Sequence, residues 1–189
     1  MASLVVGVDP GLTGWLVALD AVTGSIVSLT VMPTCSDVTS RKPRPRVNAV
    51  SLARWLDARK RDVLLVACER VTAGPSTSKH ATCSLCASAA VVEGVCAGLC
   101  LTIEWVTPAQ WTARLLRSIT PGNVKQAAVA EALTRWPSLG SLLRLKKNWG
   151  VADAALIAEF ARMRLDCGAR NGAGEVPARV NNNEEDQDG

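Results

Sequence analysis

Three acidic residues each stand at the end of an apolar segment. Asp9 closes Leu4-Val5-Val6-Gly7-Val8 and is followed at once by Pro10-Gly11-Leu12-Thr13-Gly14. Glu69 closes Val63-Leu64-Leu65-Val66-Ala67-Cys68, and Asp153 opens the alanine-rich segment Ala154-Ala155-Leu156-Ile157-Ala158. A carboxylate where a buried strand meets a tight turn is held rigidly yet faces solvent, which suits a metal ligand. Several such groups in one place repel one another unless a divalent cation lies among them. Hard oxygen donors select Mg²⁺ or Mn²⁺ over zinc or copper. Two such ions about 3.5–4 Å apart would activate a water and stabilise a leaving 3′ oxygen in phosphodiester hydrolysis. Singly, each acid has a plainer reading: a turn hydrogen bond for Asp9, an Arg partner for Glu69, a helix N-terminal charge for Asp153. Jointly, in the element order below, the metal site is the better reading.

The elements that position these acids follow from periodicity and turn chemistry. Three strands are expected at about 4–9, 14–20 and 25–32, with Thr23-Gly24 tight enough for a hairpin. Residues 33–46 read as a loop, because Ser40-Arg41-Lys42-Pro43-Arg44-Pro45-Arg46 combines prolines that forbid regular pairing with charges that favour solvent. A helix follows at 49–60 with Val50, Leu52, Ala53, Trp55 and Leu56 mainly on one face, then the strand ending at Glu69. A helix at 82–99, rich in small apolar residues, reads as buried. Next come a strand at 101–106, helices near 108–117 and 122–135, and a last helix at 151–165. This order is that of the α/β ribonuclease-H-like fold, a five-stranded mixed sheet flanked by helices with carboxylates at strand ends. It places Asp9 on the central strand, Glu69 beside it and Asp153 on the terminal helix.

Composition sets the bounds. At 189 residues and 48% hydrophobic content, one globular domain is expected over residues 1–166, with a polar, acidic tail at 167–189 that reads as disordered. The formal charge of +4 divides into −3 on that tail and +7 on the rest, which suits a polyanionic partner for the body. No secretory signal and no uninterrupted apolar run of about 18 residues is seen, so no membrane partner is expected and the chain reads as intracellular. Seven cysteines cannot all pair within one chain and read as reduced thiols. His80, Cys83, Cys86, Cys96 and Cys100 loosely match zinc spacing, but their alanine- and valine-rich setting favours packing.

The chain resembles the RuvC-type Holliday junction resolvases over most of residues 4–165. The resemblance rests on Gly7-Val8-Asp9-Pro10-Gly11, Ala67-Cys68-Glu69-Arg70-Val71 and Ala152-Asp153-Ala154-Ala155-Leu156-Ile157-Ala158. Three further segments resemble the chloroplast branch of plants and algae: Val106-Thr107-Pro108-Ala109-Gln110-Trp111, Arg135-Trp136-Pro137-Ser138-Leu139, and Leu145-Lys146-Lys147-Asn148-Trp149-Gly150-Val151-Ala152-Asp153. It implies a homodimeric, Mg²⁺-dependent endonuclease without a small-molecule cofactor. Such an enzyme cuts two opposed strands of a four-way junction to leave 5′-phosphate and 3′-hydroxyl ends, with some base preference. It also implies a chloroplast or nucleoid location, although Met1-Ala2-Ser3 runs straight into the first strand with no transit peptide before it.

The resemblance names Asp9, Glu69, Asp153 and residue 148 as metal ligands. The chloroplast resolvases carry Asp after the lysine pair, where this chain has Asn148. An Asn keeps a carbonyl oxygen but loses the charge and cannot act as a base. Asn148 is therefore either a disabling substitution or a variant whose fourth ligand lies elsewhere. Lys146 and Lys147 are candidates for the scissile phosphate. The loop at 72–80, with Ser76, Ser78 and Lys79, is where the resemblance places base reading, though it lacks aromatic residues for stacking. Arg41, Lys42, Arg44 and Arg46 are candidates to grip a DNA arm, and Trp149 is a DNA candidate beside the acids. A junction-binding protein without catalysis is the main rival. The two-domain actin and sugar-kinase ATPases share a strand-end Asp before a glycine turn, but need more chain than this.

Overall fold

The computed structural model describes residues 3–36, 44–71, 78–116 and 123–171. In chain order the strands are β1 (Leu4–Val8), β2 (Trp15–Asp20), β3 (Ile26–Val31), β4 (Thr34–Ser36), β5 (Pro45–Val47), β6 (Val63–Glu69) and β7 (Ile103–Val106). The helices are α1 (Ala49–Asp57), α2 (Lys79–Gly98), α3 (Pro108–Leu115), α4 (Val124–Arg135), α5 (Gly140–Leu143) and α6 (Gly150–Asn171). Short 3-10 turns at Pro137–Leu139 and Lys146–Asn148 lead into α5 and α6.

Five strands form a mixed sheet in the order β3-β2-β1-β6-β7, with β1 antiparallel to β2 and parallel to β6. Alternation divides the core between the two faces. Val5, Val17, Leu19, Leu65 and Ala67 meet α3, α4 and α6, whereas Val6, Val8, Leu16, Val66 and Cys68 meet Leu52 and Leu56 of α1 and Val92 and Cys96 of α2. All five β1 residues are buried because helices cover both faces there. Gly7 sets how closely α6 lies on the sheet. A Cβ at residue 7 would come within 2.0 Å of the Ala154 carbonyl oxygen and 2.5 Å of the Ala158 nitrogen. The missing side chain and the small residues Ala154 and Ala158 let α6 settle on β1, and this brings Asp153 toward the end of that strand.

Three expectations need correction. Residues 33–46 are not all loop: β4 and β5 pair antiparallel, Thr34 with Val47, Cys35 with Arg46 and Ser36 with Pro45. Pro45 is tolerated because it stands at the end of a two-stranded ladder, where a missing N–H removes little. α2 is not buried as a whole. It packs through Ser88, Ala89, Val92 and Cys96, while Cys83, Cys86 and Cys100 are exposed. Small apolar residues suit a buried helix by composition, but here only one face meets the protein. α2, 20 residues long, holds an 18-residue window of mean hydropathy 1.5, and is long and apolar enough by those measures to cross a membrane. Finally, α6 runs to Asn171, past the expected helix end at 165. The tail from 172 on lies outside the described residues.

Candidate active site

The register of the two parallel strands brings the first two acids together. Val8 pairs with Cys68, so Asp9 and Glu69 are the next residues on neighbouring strands about 4.8 Å apart. Val8 and Cys68 face α1 and α2, and alternation turns the two acids to the side of α6. Asp9 Oδ1 accepts from the Gly11 backbone N–H at 3.2 Å, fixing the carboxylate against its own turn. Asp153 enters from the first turn of α6 and is only 7% exposed. A Cβ at Gly150, one turn earlier, would stand 2.8 Å from Asp9 Oδ2 and displace that carboxylate.

The three acids share one electrostatic environment. Burial raises the pKa of Asp9, while the Gly11 hydrogen bond and the charge of Lys125 oppose the rise. Glu69 is pushed up to about 7, first by burial and then by the negative charges of Asp9 and Asp153, against the Trp111 hydrogen bond and Lys125. Asp153 is pushed up to about 6 by burial, opposed by Lys125 and helped by Asp9. The charge of Lys125 thus lowers the cost of ionising all three carboxylates. Its Nζ forms an ion pair with Asp153 Oδ2. Burial draws the lysine pKa down, but Asp153, Asp9 and Glu69 together lift it above the ordinary value. Trp111, 3% exposed, donates its indole N–H to Glu69 Oε1 at 3.0 Å and fixes that carboxylate from behind.

A recess of about 210 Å³ opens on this site, lined by Asp9, Thr13, Lys125, Lys146, Lys147, Trp149 and Gly150. Lys146, Lys147 and Trp149 thus share this recess with Asp9. Lys146 Nζ lies 5.8 Å from the centre of the Trp149 ring, whose own N–H donates to the Leu143 carbonyl at 3.1 Å. Asn148 does not line the recess: its Nδ2 donates to the Leu142 carbonyl at 3.0 Å. Ser78 is the N-cap of α2, accepting from the Ala81 N–H, and Lys79 is the first residue of that helix. Arg46 lies on β5, and the Arg44 guanidinium reaches His80 Nε2 at 3.3 Å. Arg41, Lys42 and Ser76 lie outside the described residues. Among the described residues no group of three or more His, Cys, Asp or Glu side chains, Asp9, Glu69 and Asp153 included, stands close enough together to hold a metal ion as the side chains are placed.

Sequence reasoning missed Lys125 and the role of Trp111. Lys125 is one lysine on a helix, and nothing in its neighbours marks it. Trp111 falls in a segment with a recognisable pattern, but that pattern does not reveal the partner.

Solved structures resemble this arrangement. RuvC of Thermus thermophilus in complex with a Holliday junction substrate superposes with a TM-score of 0.52 at 17% identity, covering 92% of this chain and 98% of that one. The fold is ribonuclease-H-like. A second Thermus thermophilus RuvC structure gives a TM-score of 0.48 at 16% identity, covering 89% of this chain and 96% of that one. No protein-family model and no curated protein sequence matches the chain. The five-stranded mixed sheet with helices on both faces is the RuvC arrangement, as the element order led one to expect.

Proposed function

We propose that this protein is a divalent-metal-dependent endonuclease that resolves four-way DNA junctions, leaving 5′-phosphate and 3′-hydroxyl ends. The observation that carries this reading is the convergence of Asp9, Glu69 and Asp153 from two in-register strands and one helix, with Lys125 offsetting their charge. A RuvC of the same fold has been captured on a Holliday junction, which supports the choice of substrate.

By donor chemistry the three carboxylates suit a hard divalent cation, each more easily ionised beside a positive charge, although their side chains as placed do not form a three-ligand group. Asp9, Glu69 and Asp153 would hold Mg²⁺ or Mn²⁺, two ions per site. When bound, such ions supply Lewis-acid activation of water and charge stabilisation at the leaving oxygen. The chain's own groups do the rest. Trp111 keeps one oxygen of Glu69 engaged and orients the other, Gly150 leaves Asp9 Oδ2 accessible, and Lys146 and Lys147 offer positive charge to a phosphate at the recess. Lys125 favours the ionised form of Asp153, the form in which that carboxylate would serve as a ligand.

Two opposed cuts need two copies of this site, so the acting unit on the junction is a homodimer. The motif segments shared with chloroplast resolvases support a chloroplast nucleoid location. A junction-binding protein without catalysis is the second reading, favoured by the engagement of Asn148 with Leu142 in place of a ligand role. Cleavage of a labelled mobile four-way junction, with linear duplex as control, in Mg²⁺ and in chelator, decides between them. Paired, metal-dependent nicks confined to the junction support the enzyme; tight junction binding with no nicks supports the binder.

A further inference from the structure

Among the described residues one buried side-chain polar atom meets no hydrogen-bond partner, the indole nitrogen Nε1 of Trp15. The Trp15 ring is 7% exposed and packs in the core cluster that contains Val151 and Ala154 of α6. An N–H taken out of water without an acceptor is costly, and nearly all such groups in folded proteins are paired, to the protein or to ordered water. The atom therefore calls for a partner that the described chain does not supply.

Its surroundings narrow the choice. Asp9 and Trp15 are opposed on β1 and β2: Val8 pairs with Leu16, and the Asp9 backbone N–H donates to the Trp15 carbonyl at 3.0 Å. Opposed residues of an antiparallel pair turn their side chains to the same face, here that of α6. Gly150, the first residue of α6, lies against both. The point where a Cβ would stand on Gly150 is 2.8 Å from Asp9 Oδ2, 3.3 Å from the Thr13 carbonyl oxygen and 3.1 Å from Trp15 Cδ1, the ring atom bonded to Nε1. One donor and two acceptors thus border the space beside this glycine. Asp9, Thr13 and Gly150 also line the acid recess, which opens to solvent. A cation does not suit an N–H donor, and an anion does not suit two oxygen acceptors. A water suits all three, accepting from the N–H and donating to both oxygens, the number of bonds usual for buried water.

We propose that Trp15 is a positioning residue: its indole N–H holds a water beside Gly150, and that water donates to Asp9 Oδ2 and to the Thr13 carbonyl. Asp9 is then fixed at both oxygens, Oδ1 by the Gly11 N–H and Oδ2 by the water, much as Trp111 fixes Glu69 directly. The water site stands on this geometry alone. Its use in strand cleavage rests on the reading of the chain as a junction nuclease.

The test uses the full chain with isotope-labelled tryptophan, in chelator. The chain has six tryptophans, and the indole signal of Trp15 is the one lost in Trp15→Phe. Replacing residue 15 by benzothienylalanine, a ring of nearly the same size with sulfur where the N–H stands, assigns the signal equally should Trp15→Phe fail to fold. Nuclear Overhauser transfer from the Trp15 indole proton to a long-lived bound water is expected in the parent chain, and its loss in Gly150→Ala, whose methyl takes up the space. In the benzothienyl variant the urea midpoint should fall. Junction nicking in Mg²⁺ should slow about tenfold, the low end for groups that orient metal ligands, with junction affinity in chelator unchanged. No transfer to bound water in the parent chain overturns the proposal. So does a raised urea midpoint with unchanged nicking in the benzothienyl variant, the result for an N–H merely buried without a partner. Transfer to water with unchanged nicking overturns the positioning role. If the parent chain shows the transfer but nicks no junction, the nuclease reading falls and the positioning role with it, while the water site stands.

Discussion

The two recesses at this edge of the sheet are built from opposite materials. One is small and crossed by charge, with Asp153 held by Lys125 and Glu69 by Trp111, both distant in sequence, and Asp9 by its own turn. The other, between the β5–α1 segment and the N-terminal half of α2, is several times larger, mostly apolar, and carries arginines without acids among its described lining residues. Leu12 lines this cavity and Thr13 lines the acid recess. A rigid, charge-balanced site can act on a phosphodiester but has little room to choose a substrate. A wide cavity lined by arginines can grip a strand but has no group to cleave a bond. On the proposed function, separation across one turn would let the chain treat chemistry and strand capture as nearly independent tasks, and variants on either side should separate them.

The largest expected effect is on cutting. Glu69→Gln keeps the shape and the acceptor for Trp111 but removes a charge from the acid site. Junction cleavage in Mg²⁺ should fall by about 10³-fold while junction affinity in chelator changes little. A parallel loss of binding would show that the two recesses do not divide the work. Trp111→Phe removes only the N–H donated to Glu69. Cleavage, and the Mn²⁺ affinity read by calorimetry, should each drop about 10–100-fold, as for other groups that orient metal ligands, with junction affinity in chelator unaffected.

The charge balance of the acid site also shows in stability. Glu69 has a folded pKa of about 7 against an ordinary 4.5. The unfolded chain therefore releases this proton first as pH rises, and the native state loses stability through that window. In chelator, urea unfolding should show little penalty from this group below about pH 4.5 and a full one above about pH 7, at most about 3 kcal/mol. Asp153 adds to the same trend. Glu69→Gln should flatten the slope, and saturating Mg²⁺ should do the same to the parent chain. The smallest expected effect belongs to Asn148→Asp. Replacing the amide that donates to Leu142 leaves a carboxylate facing a carbonyl, and should cost about 1–2 kcal/mol of stability without raising cleavage. A several-fold gain in cleavage would return residue 148 to the metal site.

Much of the acid site was legible in the sequence because its signals are local. An apolar run, an acid and a glycine turn place Asp9 within ten residues, whereas the close approach of α6 at Gly7 that delivers Asp153 shows only in the packing. Contacts made over long separations left no such mark. Lys125 meets Asp153 across 28 residues and Trp111 meets Glu69 across 42, so neither pairing leaves a periodic trace. The β4–β5 ladder was hidden by its prolines, and the exposed face of α2 by small residues that suit a core as well as a surface. The basic segment pointed to DNA, but the cavity that Arg44 and Arg46 help to line depends on where α1 and α2 begin, which composition does not reveal.

The central claim is that Asp9, Glu69 and Asp153 form one hydrolytic centre. Its most direct test compares the parent chain with Asp9→Asn on the same labelled four-way junction, reading binding in chelator and paired nicks in Mg²⁺. The account predicts equal binding and at least about a 10³-fold loss of nicking in the variant. Undiminished nicking by Asp9→Asn would contradict it.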